Sequence, residues 1–161
     1  MPFWGQNMEI REEIRMAAPD QVVEPLLGLL DETATVPLAI SGSSMTPFLA
    51  PGRDMVFMSR LTAWPKRGDV VLYRRDNGRY VLHRVLNVAG ESYTMLGDAQ
   101  TVPERGIRRD QILAVVTAVR RKGKLLKQGS FCWFFFRTVW IRLISLRPLA
   151  VRVVHRLKKR V

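Results

Sequence analysis

The sequence has little of what disulfide bonding and metal binding require. It contains one cysteine, Cys132, and two histidines, His83 and His155, among 161 residues. A single cysteine cannot form an internal disulfide, and these three residues lack the spacing of a zinc-ligand set. We therefore expect neither a metal nor a cofactor.

Acidic side chains are absent from the last third of the chain. Residues 111–161 contain no Asp or Glu and thirteen Lys or Arg, so they carry a formal charge of +13. The whole chain carries +12, which leaves −1 for residues 1–110. This excess of positive charge predicts an anionic partner for the last third, which means a lipid surface, nucleic acid or an acidic protein.

Long apolar runs free of charge are also missing. The start, "MPFWGQNMEIREEIRMAAP", has neither the continuous apolar stretch nor the small-residue cleavage site of a secretory signal. A helix that spanned a bilayer through residues 131–154 would bury four arginines, at about 2.5–3.5 kcal/mol each near the centre. We therefore expect a cytoplasmic protein and disfavour an integral one.

The basic, aromatic-rich segment 123–161 fits the surface of an anionic membrane better. Its aromatic and aliphatic groups would sink into the headgroup boundary while its arginines meet lipid phosphates, and Pro148 would kink or split the helix. We expect peripheral association at the inner face of the membrane. The alternative is a C-terminal helix pair packed on the sheet or on a second copy. Nucleic acid is disfavoured because no recognised nucleic-acid motif accompanies the charge.

Short runs rich in β-branched and aromatic residues fill the middle of the chain. They predict a mainly β, largely antiparallel protein with a hairpin at Asp76-Asn77-Gly78, because Asn-Gly readily adopts the positive φ angles of a type I′ turn. Ahead of them, "DQVVEPLLGLLD" (20–31) predicts a short amphipathic helix. The runs are "TVPLAI", "DMVFMSRL", "GDVVLYRR", "RYVLHRVLNV", "SYTMLGD" and "QILAVVTAVRR".

The stretch "SGSSMTPFLAPG" (41–52) raises the question of a nucleophile. A serine hydroxyl attacks only when a neighbouring base takes its proton, and the intermediate needs backbone N–H donors. Ser44 fits this role because Gly42 lies two residues before it and Met45 holds the following loop on an apolar surface. Taken alone, such a serine is more often a turn or capping residue.

The base would have to be His83, the one histidine between Ser44 and residue 110. Strand alternation in "YVLHRV" puts Val81, His83 and Val85 on one face. A histidine flanked by valines is partly buried, which keeps it neutral and able to accept a proton. Taken alone, it is more often a core residue.

Four motifs in order resemble those of the signal peptidase and LexA-like serine peptidase superfamily: "SGSSMTPFL", "PKRGDVVLYR", "YVLHRV" and "MLGDAQ". The chain is most similar to the signal peptidases of the endoplasmic reticulum, archaea and some spore-forming bacteria, which pair serine with histidine. Related bacterial enzymes and LexA-type repressors use lysine instead. The resemblance covers about residues 35–118 and implies a coiled antiparallel sheet of the LexA and signal-peptidase type.

The resemblance assigns roles to individual residues. Ser44 resembles the nucleophile and His83 the general base, and the oxyanion would rest on the backbone N–H groups of Ser43 and Ser44. Signal peptidases usually read Ser-Gly-Ser-Met, whereas this chain reads Ser-Gly-Ser-Ser-Met at residues 41–45. This spacing resembles the LexA branch, and Ser41 loses the oxyanion role that the shorter motif would give it.

The third member of a triad stays open. Asp98 matches the motif near the base and is slightly favoured, while Glu104 or Asp110 could stand there instead. A Ser–His dyad without a third member is a further alternative. Gly68-Asp69 matches a structural motif that starts a central strand.

The resemblance implies limited proteolysis of a peptide or protein precursor, such as a signal, leader or propeptide, through an acyl-enzyme. The substrate would bind as an added strand, with small or aliphatic residues just before the cut. Two alternatives remain, a LexA-like regulator that cleaves itself and a catalytically silent membrane-associated module. The residues expected to line an apolar substrate pocket are Met45, Phe48, Leu49, Met55 and Phe57.

Together these features divide the chain into three parts. Residues 1–34 form a helical lead-in, residues 35–122 form a signal-peptidase-like catalytic domain, and residues 123–161 form the membrane-associating tail.

Overall fold

The computed structural model describes residues 19–30 and 34–147. It is mainly β, with one antiparallel eight-stranded sheet and two α-helices. The elements are α1 (Pro19–Leu29), β1 (Val36–Ala39), β2 (Asp54–Ser59), β3 (Val70–Arg74), β4 (Tyr80–Ala89), β5 (Ser92–Leu96), β6 (Glu104–Arg108), β7 (Ile112–Arg121), β8 (Lys124–Lys127) and α2 (Phe131–Arg142), with 3₁₀ turns at Arg109–Gln111 and Ile144–Leu146.

The strands follow the order β1-β2-β7-β3-β4-β5-β6, and β8 pairs with β7. Strand β7 is the centre of the sheet: β2 pairs along one of its edges, while β3 and β8 occupy successive parts of the other. The predicted helix in residues 20–31 is confirmed as α1, which continues through Pro25. All six predicted apolar runs contain strands.

The hairpin predicted at residues 76–78 is confirmed, but its turn is not type I′. In the described chain only Gly78 of this turn has a positive φ, at 84°, so Asn77 does not adopt the left-handed conformation. The N–H of Gly78 donates to the carbonyl of Arg75 at 2.9 Å, as in a type I turn followed by a glycine bulge. Two successive positive φ angles occur instead at Lys122 and Gly123, between β7 and β8.

Two hydrophobic cores form because β3 is buried on both faces. Val70 and Leu72 face a first core with α1 and Trp133, while Val71 and Tyr73 face a second core with β5 and β6. Directly paired residues of antiparallel strands share a face, and β4 continues this division. Its residues Val81 and Val85 contact the second core and Leu82 contacts the first, as predicted from alternation.

The segment after residue 123 is only in part what the sequence predicts. Strand β8 pairs with β7, Trp133 of α2 is buried in the first core, and the Trp140 indole N–H donates to the Asp98 carbonyl at 2.9 Å. Strand β8 is therefore part of the sheet and α2 packs on it, as the alternative arrangement has it, although the described residues contain one helix here and not a pair. No helix within residues 19–30 and 34–147 is long and apolar enough to cross a membrane. The predictions for residues 1–18, Pro148 and the rest of the tail lie outside the described residues.

Candidate functional site

Ser44 lies in a tight turn in the loop between β1 and β2. The N–H of Thr46 donates to the carbonyl of Ser43 at 3.0 Å, which closes the turn. Ser44 is half-buried, whereas Ser41 and Ser43 are exposed. Of the three serines, Ser44 is therefore the one drawn towards the body of the protein.

A buried carboxylate fixes the loop below this turn. Asp54 accepts hydrogen bonds from the Ala50 N–H and from the guanidinium groups of Arg53 and Arg121, and both arginines also donate to the Phe48 carbonyl. Burial raises the pKa of Asp54, but the hydrogen bonds from Arg121, Arg53 and Ala50 outweigh it and leave the pKa lowered. The loop that follows Ser44 is thus anchored by an ionised side chain.

The "MLGDAQ" motif holds Ser44 from the other side. The Ala99 N–H donates to the Ser44 carbonyl at 2.8 Å. A Cβ atom at Gly97 would lie 2.6 Å from the same carbonyl, so only glycine permits this approach. The fourth sequence motif therefore supports the first through the backbone.

Ser44 and His83 line one cavity of about 300 Å³. No hydrogen bond joins their side chains in the described structure, a separation common in free hydrolases. The N–H groups of Ser43 and Ser44 have no hydrogen-bond acceptor among the described residues. The cavity is also lined by Leu38, Ala39, Ile40, Gly42, Met45, Arg75, Arg79, Tyr80, Val81, Leu82 and Gln100.

His83 is 3% exposed, and burial lowers its pKa to about 4 although nearby Glu104 acts in the opposite direction. Its imidazole is therefore neutral at neutral pH and able to accept a proton. The Nδ1 atom lies 3.2 Å from the Tyr73 hydroxyl, which donates to a Glu104 oxygen at 2.7 Å.

Glu104 is held by Arg75 through two hydrogen bonds of 2.8 and 2.6 Å, one to each carboxylate oxygen. Burial raises the pKa of Glu104, but the hydrogen bonds from Arg75 and Tyr73 more than offset this and leave the pKa lowered. Of the acids proposed as a third triad member, Glu104 alone is connected to His83, and it is connected through Tyr73.

The structure does not bring Asp98 to His83, which corrects the order of preference among the acids. Both oxygens of Asp98 accept from the guanidinium of Arg84, at 2.9 and 2.7 Å, and the pair is almost fully buried. Arg84 follows His83 on β4 and therefore points to the opposite face. Asp98 thus supports the sheet and does not contact the imidazole.

The other two acids are also separate from His83. Asp110 is exposed, pairs with Arg108 and lines a different cavity. Asp69 accepts from the Lys66 N–H at 2.8 Å and pairs with Arg137 of α2. Gly68-Asp69 leads directly into β3, in agreement with the structural role that its motif implies.

Of the five residues predicted to line a substrate pocket, one lines the Ser44–His83 cavity. Met45 lines the cavity, whereas Phe48 and Leu49 have no exposed surface and belong to the first core. Met55 and Phe57 are half-buried on β2 and do not line this cavity. The apolar wall comes instead from β1 and β4, through Leu38, Ile40 and Leu82.

Sequence reasoning missed Tyr73, which connects His83 to Glu104, and Arg75, which holds Glu104. Tyr73 was visible in "GDVVLYRR" as a polar-tipped side chain two residues after Val71, which pairs directly with His83. Because residues two apart on a strand share a face, knowledge of this register would have placed Tyr73 beside His83. The register itself is not readable from the sequence.

Neither a protein-family model nor a curated protein matches this chain. The likeness to signal peptidases therefore depends on the four motifs. "SGSSMTPFL" follows β1, "PKRGDVVLYR" leads into β3, "YVLHRV" lies in β4 and "MLGDAQ" ends β5. The first, third and fourth motifs all contribute to the lining of the Ser44–His83 cavity.

The burial of His83 makes the stability of the protein dependent on pH. The pKa of about 4 in the folded state lies below about 6.5 in the unfolded chain. As pH falls through this window the unfolded state takes up the proton first, so stability is full above pH 6.5 and is lost towards pH 4. We expect the free energy of unfolding to fall by about 2 kcal/mol between pH 7 and pH 5 because of this group.

Urea unfolding at both pH values, with His83→Asn as the comparison, measures this contribution. The variant does not titrate at this position, and His155 is present in both proteins, so its effect cancels. Equal losses of stability in wild type and variant would contradict the prediction.

Proposed function

We propose that this protein is a serine endopeptidase of the signal peptidase and LexA-like superfamily, with Ser44 as nucleophile and His83 as general base. The observation that carries the proposal is the shared cavity, which is lined by both a half-buried serine and a neutral histidine. The antiparallel, mainly β sheet agrees with a LexA-like fold, which we include in the proposal.

The mechanism follows from these groups. His83 takes the Ser44 proton as Oγ attacks the scissile carbonyl, and the N–H groups of Ser43 and Ser44 hold the oxyanion. The imidazolium then protonates the leaving amine as the C–N bond breaks, which leaves an ester on Ser44. Water, deprotonated by His83, attacks this ester, and the imidazolium returns that proton to Ser44 Oγ as the ester C–O bond breaks and the second product leaves.

The substrate is an extended segment of a peptide or protein precursor. Within the described structure, β1 pairs with β2 on one edge only, and its residues Leu38 and Ala39 line the cavity. A peptide that adds alongside β1 would gain main-chain hydrogen bonds and present its scissile bond to Ser44. The apolar wall formed by Leu38, Ile40 and Leu82 favours small or aliphatic residues next to the cut.

Hydrolysis of a peptide library by wild type, Ser44→Ala and His83→Ala at matched folding tests this function. Cleavage by wild type alone supports it, and unchanged cleavage by both variants contradicts it. A time-dependent fragment of the protein itself would favour the self-cleaving regulator. Failure of Ser44 to react with an acylating probe would favour the silent module.

We also propose that the start of α2 contacts an anionic membrane. Phe131 and Phe134 have 82% and 59% of their surface exposed, and Leu125 of β8 has 50%. Aromatic side chains this exposed are costly in water, while exposed Lys124 and Lys127 add positive charge beside them. Residues 111–161 themselves contribute no Asp or Glu that would repel anionic lipid.

Phe131→Ser with Phe134→Ser is expected to weaken binding to vesicles that contain phosphatidylserine by about tenfold or more, because burying each Phe is worth about 1.5–3 kcal/mol when complete. Vesicle flotation measures the loss. Val102→Ser, which removes a 79% exposed side chain from a loop, is the matched control. Equal binding by the double variant and the control would contradict this contact.

A further inference from the structure

Tyr73 lies between the candidate base and the one carboxylate that is connected to it among the described residues. Its ring is fully buried in the second core, and its hydroxyl is 3.2 Å from His83 Nδ1 and 2.7 Å from Glu104 Oε2. Arg75 binds both oxygens of Glu104. The four side chains form a chain of hydrogen bonds that starts at Nδ1 and ends at a guanidinium.

The direction of these hydrogen bonds follows from a count of protons. Glu104 is ionised by its contacts with Arg75 and can only accept. The single proton of the Tyr73 hydroxyl is donated to Glu104, so the hydroxyl oxygen can only accept from His83. A neutral imidazole carries one N–H. That N–H must therefore be at Nδ1, which leaves the lone pair on Nε2.

We propose that Tyr73, oriented by Glu104 and Arg75, is a positioning residue that holds His83 as the Nδ1–H tautomer and takes the place of the triad carboxylate. The catalytic part of this inference rests on the proposed serine peptidase function. The tautomer itself does not depend on that function.

This arrangement also explains how the His83 imidazole can act as a base although it is buried and no carboxylate contacts it. When Nε2 gains the Ser44 proton, Nδ1–H keeps its acceptor, and the negative charge of Glu104 reaches the imidazolium through the polarised hydroxyl. A tyrosine hydroxyl stabilises the imidazolium less than a carboxylate in direct contact, so His83 stays neutral in the resting protein. The base is thus kept unprotonated and in one orientation at the same time.

Nitrogen-15 NMR of histidine-labelled full-length protein tests the tautomer. With His155→Gln as background, His83 gives the only pair of ring-nitrogen signals. We expect a protonated Nδ1 and an unprotonated Nε2 at neutral pH. Tyr73→Phe, which keeps the ring but removes the acceptor, is expected to shift the signals away from this pattern.

Tyr93→Phe is the matched control. Tyr93 is 1% exposed in the same core, and its hydroxyl has no hydrogen-bond partner in the described structure. We expect this variant to keep the wild-type tautomer. A protonated Nε2 in wild type, or an unchanged tautomer in Tyr73→Phe, would overturn the proposal.

Peptide hydrolysis gives the second measurement. Tyr73→Phe is expected to lower kcat by about 10²-fold with KM little changed, whereas Tyr93→Phe keeps the wild-type rate. A wild type that shows the Nδ1–H tautomer but no hydrolysis would remove the peptidase function and leave the tautomer established. Hydrolysis that is unaffected by Tyr73→Phe would remove the catalytic role of Tyr73 and leave the peptidase function standing.

Discussion

Ser44→Ala and His83→Ala are each expected to lower kcat/KM for a cleavable peptide by at least about 10³-fold. The first variant removes the atom that forms the ester, and the second removes the group that accepts its proton. Neither change enlarges a side chain in the cavity, so peptide affinity should stay close to that of wild type. The measurements are steady-state hydrolysis and, separately, the equilibrium binding of an uncleaved peptide.

The losses of activity in Ser44→Ala and His83→Ala should not be additive in the double variant. Since nucleophile and base act in the same step, the double variant is expected to be no less active than either single variant. Ser43→Ala is the matched control, because Ser43 is exposed and contributes a backbone N–H that alanine retains. We expect its rate to stay within a few-fold of wild type.

Other outcomes would point elsewhere. Full loss in Ser43→Ala with activity kept in Ser44→Ala would move the nucleophile by one residue. Losses in Ser44→Ala and His83→Ala that multiply in the double variant would mean that the two groups act independently, which a serine–histidine mechanism does not allow.

Asp98→Asn is expected to destabilise the fold by about 3–5 kcal/mol, because it leaves the buried guanidinium of Arg84 without a counter-charge. The side chains of Arg84 and Asp98 are 1% and 0% exposed. Arg84 also donates to the Gly68 carbonyl at 2.8 Å and lies over the Phe48 ring. An unpaired charge at this position would therefore disturb the entry to β3 and the first core together.

Urea unfolding of Asp98→Asn and of the double variant Arg84→Met with Asp98→Leu measures this effect. Replacement of both charges by apolar groups of similar size is expected to recover most of the lost stability. If Asp98 were a third triad member, Asp98→Asn would fold normally but lose activity. The variant with Arg84→Met and Asp98→Leu would then not restore that activity. That result would contradict the structural role given to Asp98 here.

The strands that the sequence predicted share one property, which is a core-facing run of β-branched or aromatic residues. The two strands that it missed, β6 and β8, read "ERGIR" and "KLLK". Their charged side chains lie at the margins of the sheet, where one face meets water. Such strands form because a neighbouring strand has backbone N–H and C=O groups that still lack partners. The signal for β6 and β8 therefore lies in the neighbouring strand and not in their own sequences.

The pairing of Ser44 with His83 in one cavity was predictable, because it was inferred from the order of the motifs along the chain. Ser44 and His83 lie in separate motifs, and their shared cavity agrees with the roles that the motifs imply. The choice among Asp98, Glu104 and Asp110 was not predictable, because it depends on strand register. Glu104 lies close enough to contact Tyr73 because the register of β6 on β5 pairs Glu104 with Met95.

The lining of the Ser44–His83 cavity was not predictable for a related reason. Phe48 and Leu49 follow Ser44 within a few residues, and nearness in sequence suggested that they line the same cavity. The chain instead turns inward after Met45, so these apolar side chains belong to the first core. Apolar character alone does not distinguish a residue that contacts substrate from one that supports the loop.

The contacts of Arg147, which follows α2, with the "MLGDAQ" loop impose an order on synthesis. Arg147 donates to the carbonyls of Gly97 and Gln100, 50 and 47 residues earlier, and the same loop supports Ser44 through Ala99. During synthesis, Ser44 and His83 are both made long before Arg147. The complete support of the Ser44 loop can therefore form only after every strand of the described sheet has been made.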